Sequence, residues 1–262
     1  MTNNWSYGPI YCSIQTSRIL QTKFPGLSQS TKIIELEFNK TYIIGHRDHI
    51  TPQQSQPPQK KNSKNSKKRK SGSKNSLKIE EEKIEKFERI EYHVTPFDAN
   101  HVIGSTMYLF ETPFGTFFHT GDFRFDDYML KEYTQLYPDF ANKALGSIPK
   151  SVHIDELWLD NTYCDPVFKF PKRDKCVEDL IRIIGENKPP CEVFVKTYSL
   201  GKEEILSEAA AFFGTKVVVD AQRMEYIRNT RFQVEYFTDD PTEGWIYCLN
   251  HKGSKQNYGR QR

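Results

Sequence analysis

Asp98-Ala99-Asn100-His101-Val102-Ile103-Gly104-Ser105, read through to Thr120-Gly121-Asp122-Phe123-Arg124, decides the reading of this chain. His101 stands in a turn-rich loop closed by Gly104 and Ser105. Met107 to Phe110 then have the composition of a buried strand. Thr112-Pro113-Phe114-Gly115 is turn chemistry, since Pro presets φ and Gly tolerates positive φ. Thr116 to Thr120 read as a second strand, which Gly121 breaks. A hairpin returns the chain to the edge it left. His101, just before the outgoing strand, and Asp122, just after the returning one, are therefore expected side by side. An imidazole and a carboxylate held together at a sheet edge make half of a zinc site. From spacing alone, such a pair is more often a hydrogen-bonded structural couple.

Working outward, 262 residues suffice for one large domain or two smaller ones. Hydrophobic residues make up 37% and mean hydropathy is −0.70, low for a globular chain and partly explained by one polar tract. Residues 50–78 hold nine Lys/Arg and no Asp/Glu, so the rest of the chain carries 28 basic and 34 acidic residues, net −6 against +3 overall. Nucleic-acid affinity of the folded part must then come from a local groove rather than from overall charge. The tract is too polar to bury a core and is expected to be disordered. Its Lys67-Lys68-Arg69-Lys70 run fits a nuclear localisation signal, a nonspecific nucleic-acid arm, or simply a solvated insertion.

The five cysteines (Cys12, Cys164, Cys176, Cys191, Cys248) are scattered without a C-x-x-C and read as reduced thiols. The opening Met1-Thr2-Asn3-Asn4-Trp5 is polar and does not read as a secretory leader. No apolar run approaches the roughly 20 residues that span a bilayer, so no membrane partner is expected.

Before the central stretch, Ile10 to Ser13 read as a strand entering a helix, with Ser13 or Thr16 as its cap and Phe24-Pro25-Gly26 as its end. Ile33–Phe38 and Thr41–Ile44 read as strands around Asn39-Lys40. His46-Arg47-Asp48-His49 places two His and an Asp together, but it abuts the low-complexity tract and reads as a solvated loop. After the central stretch, Tyr128 to Phe140 is an irregular or helical link, and Ile154 to Leu159 read as a buried strand ending at Asp160. From there strands and helices alternate: helix 172–186, strand 192–196, helix 202–213 closed by Gly214, strand 215–219, helix 222–229, strand 245–249. Such alternation predicts a parallel sheet covered by helices. Thr197-Tyr198-Ser199-Leu200-Gly201-Lys202 joins a strand to a helix N-terminus, where backbone N–H groups and Lys202 suit a phosphate. It is not a Walker loop, since Glu203 follows the Lys. A plain glycine turn also fits.

Together, DANH-x-x-GS, the hairpin, TGDFR, Gly8-Pro9-Ile10-Tyr11-Cys12-Ser13 and LDNTYC followed by Phe170-Pro171 resemble the metallo-β-lactamase/β-CASP DNA repair nucleases, in particular their Apollo–Artemis cross-link repair branch. The resemblance covers most of residues 8–251, the basic tract excepted. It implies an α/β fold: a partial metallo-β-lactamase αββα sandwich from residues 1–49 and 79–159, a β-CASP cap domain over 160–251, the insert at 50–78 and a polar tail at 252–262. It implies two zinc ions, with His101 a metal ligand, Asp122 bridging the metals and Asp160 orienting the shell. It further implies Ser199 and Lys202 as contacts to a 5′ phosphate, and His251, on a looser match, near the scissile phosphate. Val102-Ile103 departs from the Cys-Pro usual in the family and alters the loop but not the ligand.

The implied activity is phosphodiester hydrolysis, as a 5′-to-3′ exonuclease on DNA bearing 5′-phosphate ends. The settings implied are interstrand cross-link repair, double-strand-break repair or telomere end processing in the nucleus, with repair or telomere proteins as partners. The family's H-x-H-x-D-H motif, which supplies four metal-binding side chains, stands just before the segment matched by Gly8–Ser13 and is not among these residues. Either the chain lacks its ends or it is a catalytically dead relative. The match of the remaining residues favours the first, and the expectation is that these 262 residues alone bind metal poorly and cleave little. Three rival functions stay open: an RNA-processing β-CASP nuclease, a non-catalytic scaffold in a repair complex, and a small-molecule hydrolase, the last weakened by the β-CASP-like half.

Overall fold

A computed structural model describes residues 5, 7–44, 51, 52, 91–133, 136, 152–187, 189, 191–198 and 200–250. Apart from Thr51 and Pro52, which stand in a short strand where disorder was expected, the 50–78 tract lies outside the described residues, as do the His46–His49 loop, Ser199 and His251.

The hairpin is the middle of a six-stranded sheet. β5 (Tyr92–Asp98), β6 (Thr106–Thr112) and β7 (Gly115–His119) form an antiparallel meander. Thr112 pairs with Gly115, leaving Pro113-Phe114 as the two-residue loop, with Gly115 at φ 143°. β3 (Tyr42–Ile44) pairs antiparallel with β5, β4 (Thr51–Pro52) pairs with β3, and β8 (Glu156–Trp158) runs parallel to β7 at the opposite edge. One face packs Phe97, Met107, Leu109 and Phe118 against Met129 of the short helix α3 (Met129–Glu132) and against Tyr133. The other face meets a two-stranded parallel sheet, β1 (Ile10–Ser13) with β2 (Ile33–Leu36), through Ile34, Leu36, Tyr42, Tyr11 and Tyr108.

The two strands expected around Asn39-Lys40 form, and the left-handed Asn39 (φ 62°) turns the chain from the small sheet into the large one. One expectation is corrected here. The strand read as buried over 154–159 is a three-residue edge strand, with Leu157 51%, Trp158 45% and Leu159 52% exposed. Ring stacking of Trp158 on Phe117 covers only part of it.

Ser13 caps α1 (Ile14–Lys23), its hydroxyl accepting the Thr16 N–H. Leu27 of the following one-turn α2 (Leu27–Ser30) is fully buried. The second half of the chain is the parallel sheet expected from the alternation. Its order is β11-β10-β12-β9, built from β9 (Val193–Thr197), β10 (Val217–Val218), β11 (Phe237–Thr238) and β12 (Ile246–Asn250). α4 (Arg173–Glu186), α5 (Glu203–Phe213) and α6 (Ala221–Thr230) supply Ile184, Leu206, Ala209, Ala210, Met224 and Ile227 to its core. Gly214, at φ 60°, ends α5 in the left-handed region, where a Cβ is disfavoured. β11 was not expected; it is two residues long and follows a single 3₁₀ turn, Val234–Tyr236.

α1 packs on α6. Arg18 donates to the Asn229 carbonyl at 3.3 Å, and the Asn229 amide donates to Thr22 Oγ1 at 2.6 Å. All five cysteines are free thiols. Among the described residues no helix is long and apolar enough to cross a membrane.

Candidate functional site

β5, β7 and β8 all run in one direction, so their carboxyl ends lie along one rim of the large sheet. Loop 98–105 leaves β5, loop 120–124 leaves β7, and Asp160 follows β8. The rim therefore collects the residues singled out from the sequence.

Backbone hydrogen bonds and short polar side chains build the His101 loop. Asp98 Oδ1 accepts the Asn100 N–H at 2.8 Å, with Asn100 in the left-handed region at φ 52°. Ser105 Oγ accepts the N–H groups of both His101 and Val102 at 3.2 Å, and the Ser105 N–H returns to the Val102 carbonyl. α1 holds the loop from behind, as the Ser13 and Thr16 hydroxyls both donate to the Gly104 carbonyl at 2.8 Å. A Cβ on Gly104 would lie 2.7 Å from Thr16 Oγ1, so only glycine lets the loop sit on the helix end.

The Asp122 loop is bonded to this one. The Arg124 N–H donates to the Ala99 carbonyl at 2.8 Å, and the Asn100 side-chain amide donates to the Arg124 carbonyl at 3.1 Å. The buried Thr120 ties in the third element: its N–H donates to the Trp158 carbonyl, and its Oγ1 accepts the Asp160 N–H at 2.9 Å. His119 Nδ1 accepts the Gly121 N–H at 2.9 Å, which fixes that imidazole to the loop. Hydrogen bonds from Thr162 hold the Asp160 carboxyl below its ordinary value, and the nearby His101 adds to this. Burial pushes the Asp98 carboxyl up, against the Asn100 N–H and the Arg173 charge.

His101 and Asp122 are exposed on the rim, and Asp160 is half-buried. Imidazole and carboxylate are donors suited to a borderline divalent metal. Among the described residues no group of three His, Cys, Asp or Glu is gathered to hold a metal ion.

The Thr197–Lys202 segment comes to the same rim from the parallel sheet. Gly201 is buried at φ 98°, and a Cβ there would lie 2.9 Å from Val102 Cγ1, next to His101. Lys202 is exposed and also left-handed, at φ 72°. The Gly201 N–H, expected to be open to an anion, instead donates to Glu203 Oε1 at 3.1 Å. Asn250, which precedes His251, pairs with Thr197 in the sheet.

Two arginines escaped the sequence reading. Arg173 at the start of α4 donates to Asn100 Oδ1 and to the Asn100 carbonyl and pairs with Glu204 of α5, bracing the His101 loop against the second sheet's helices. Arg223 is buried and paired with Glu203. Neither position carries a local pattern that would mark it, since both arginines stand in polar, charge-rich stretches.

No protein-family model matches the chain. A Rattus norvegicus protein named 5′ exonuclease Apollo is 38% identical over 158 residues, which are 60% of this chain and 26% of that protein. The Danio rerio protein of the same name is 29% identical over 250 residues, 95% of this chain and 34% of that protein. An Arabidopsis thaliana DNA cross-link repair protein SNM1 is 28% identical over 254 residues, 95% of this chain and 40% of that protein. The chain is a homologue of the Apollo and SNM1 proteins. These are members of the metallo-β-lactamase/β-CASP family, and the mixed α/β architecture with several sheets is consistent with that fold. The chain spans between 26% and 40% of the length of these three relatives.

Proposed function

We propose that this chain is part of a metal-dependent DNA nuclease, a 5′-to-3′ exonuclease of DNA repair. The observation that carries the reading is the convergence of the His101 loop, the Asp122 loop, Asp160 and the Gly201–Lys202 turn on one rim. His101 and Asp122 contribute two metal donors, and Asp160, whose backbone N–H donates to Thr120 Oγ1, orients the Asp122 loop. A bound metal pair, zinc by the donor types, would supply the activated water and neutralise the phosphate. The resemblance assigns Lys202 and Ser199 to a terminal 5′ phosphate and His251 to the scissile phosphate. In this reading residues 1–49 and 79–159 form the lactamase-type domain and 160–251 the β-CASP domain. The substrate is DNA with 5′-phosphate ends, and the compartment is the nucleus, where cross-link repair, break repair and telomere processing proteins are the partners in prospect.

One alternative is a non-catalytic scaffold or binding module in a DNA repair complex. One assay decides between them. Nucleotide release from 5′-phosphorylated single-stranded DNA and from RNA of the same sequence is followed, using protein expressed from the complete native transcript. Zinc-dependent release from DNA, absent in Asp122→Ala, is the expected result. DNA binding without cleavage identifies the module, and faster release from RNA moves the chain to the RNA-processing branch.

A further inference from the structure

Arg223 is the most completely bonded side chain on the path between the phosphate turn and the metal rim. It is 2% exposed, and Glu203 is 3% exposed. A guanidinium has five N–H bonds, and five contacts take them. Nε and Nη2 donate to Glu203 Oε1 at 3.2 and 2.9 Å, Nη2 also to the Gly201 carbonyl at 2.8 Å, and Nη1 to Thr197 Oγ1 at 2.6 Å and Cys248 Sγ at 2.8 Å. One residue on α6 thus grips the end of β9, the turn, the first residue of α5 and strand β12.

The grip has two effects on Lys202. Glu203 stands in the first turn of α5, where its charge would repel a phosphate; pairing with Arg223 cancels that charge locally. The bond to the Gly201 carbonyl, with the Gly201 N–H on Glu203, fixes both sides of a residue where an added Cβ would lie 2.9 Å from Val102 Cγ1. The left-handed Lys202 follows directly. We infer that Arg223 is a positioning residue: it sets where Lys202 presents its ammonium group relative to the His101 loop, and so governs recognition of a 5′ phosphate. This rests on the proposed phosphate contact of Lys202.

The test is binding of the 262-residue chain to 5′-phosphorylated and 5′-hydroxyl oligonucleotides of one sequence, by fluorescence anisotropy in EDTA, where hydrolysis plays no part. Three variants are compared: Lys202→Ala, Arg223→Met, and Arg223→Met with Glu203→Gln. The last removes both charges of the buried pair and is designed to keep the fold, checked by circular dichroism. Wild type prefers the phosphorylated strand. Lys202→Ala and the double variant each lose about tenfold of that preference, the worth of one charge-assisted contact. Affinity for the 5′-hydroxyl strand stays within about twofold, since that contact is absent there.

A folded double variant that keeps full preference, beside a Lys202→Ala that loses it, overturns the role of Arg223 and leaves the phosphate reading standing. No preference in wild type, or none lost in Lys202→Ala, overturns the phosphate reading and this inference with it. If the double variant unfolds, Thr197→Val, which deletes only one of the five bonds, carries the test. Its expected loss of preference is about twofold, and an unchanged preference is the overturning result.

Discussion

Arg223 with Glu203 and His101 with Asp122 are opposite ways of placing charge in one molecule. The first pair is dry, and every donor of its arginine has a partner. The second is exposed, carried on loops held by their backbones and by the short side chains of Asp98, Asn100 and Ser105. The first pair is tied into the packing of the parallel-sheet half, whereas the proposed site stands on exposed loops at the rim of the other sheet. The contrast implies a ladder of substitution effects, read by urea denaturation.

Arg223→Met stands at the top. It leaves the Glu203 carboxylate buried without a partner and is expected to cost about 3–5 kcal/mol. Next is Ile246→Ala, which empties space beside Val217 and Val193 in the middle of the parallel sheet, at about 3 kcal/mol. Ser13→Ala removes both a helix cap and a support of the His101 loop and should cost about 1 kcal/mol. Asp122→Ala is at the bottom, with a change under about 0.5 kcal/mol but a loss of zinc affinity by calorimetric titration. If Asp122→Ala destabilises as much as Ser13→Ala, the contrast breaks. If Arg223→Met costs under about 1 kcal/mol, relaxation or water reaches Glu203, and the buried pair is less demanding than its geometry suggests.

Much of this was legible beforehand, for local reasons. Thr112-Pro113-Phe114-Gly115 announced its turn because Pro and Gly restrict backbone angles within a few residues. The parallel sheet followed from alternation, and Gly214 from its place after an apolar helix. What failed to show depends on distant neighbours. Leu157-Trp158-Leu159 has the hydropathy of an interior strand, and pattern cannot tell an edge from a centre. Ile33–Leu36 and Tyr42–Ile44 read as strands from local pattern, but nothing local names their partners, Ile10–Ser13 and Tyr92–Val94. That the loops carrying His101 and Asp122 are bonded to each other followed from hairpin geometry. Arg223 was invisible because its five hydrogen bonds go to residues 197, 201, 203 and 248, which meet only in the folded sheet.

The contact between Gly201 and Val102 carries a last consequence. Neither side can yield easily, since a β-branched side chain has few rotamers and a residue at φ 98° disfavours any Cβ. The two positions are then a single variable in the history of the chain. Position 201 is free to gain a side chain only in a lineage where position 102 has first become smaller and the turn has left its left-handed angle. Substitutions at the two sites should accordingly arrive in a fixed order, with 102 changing before 201.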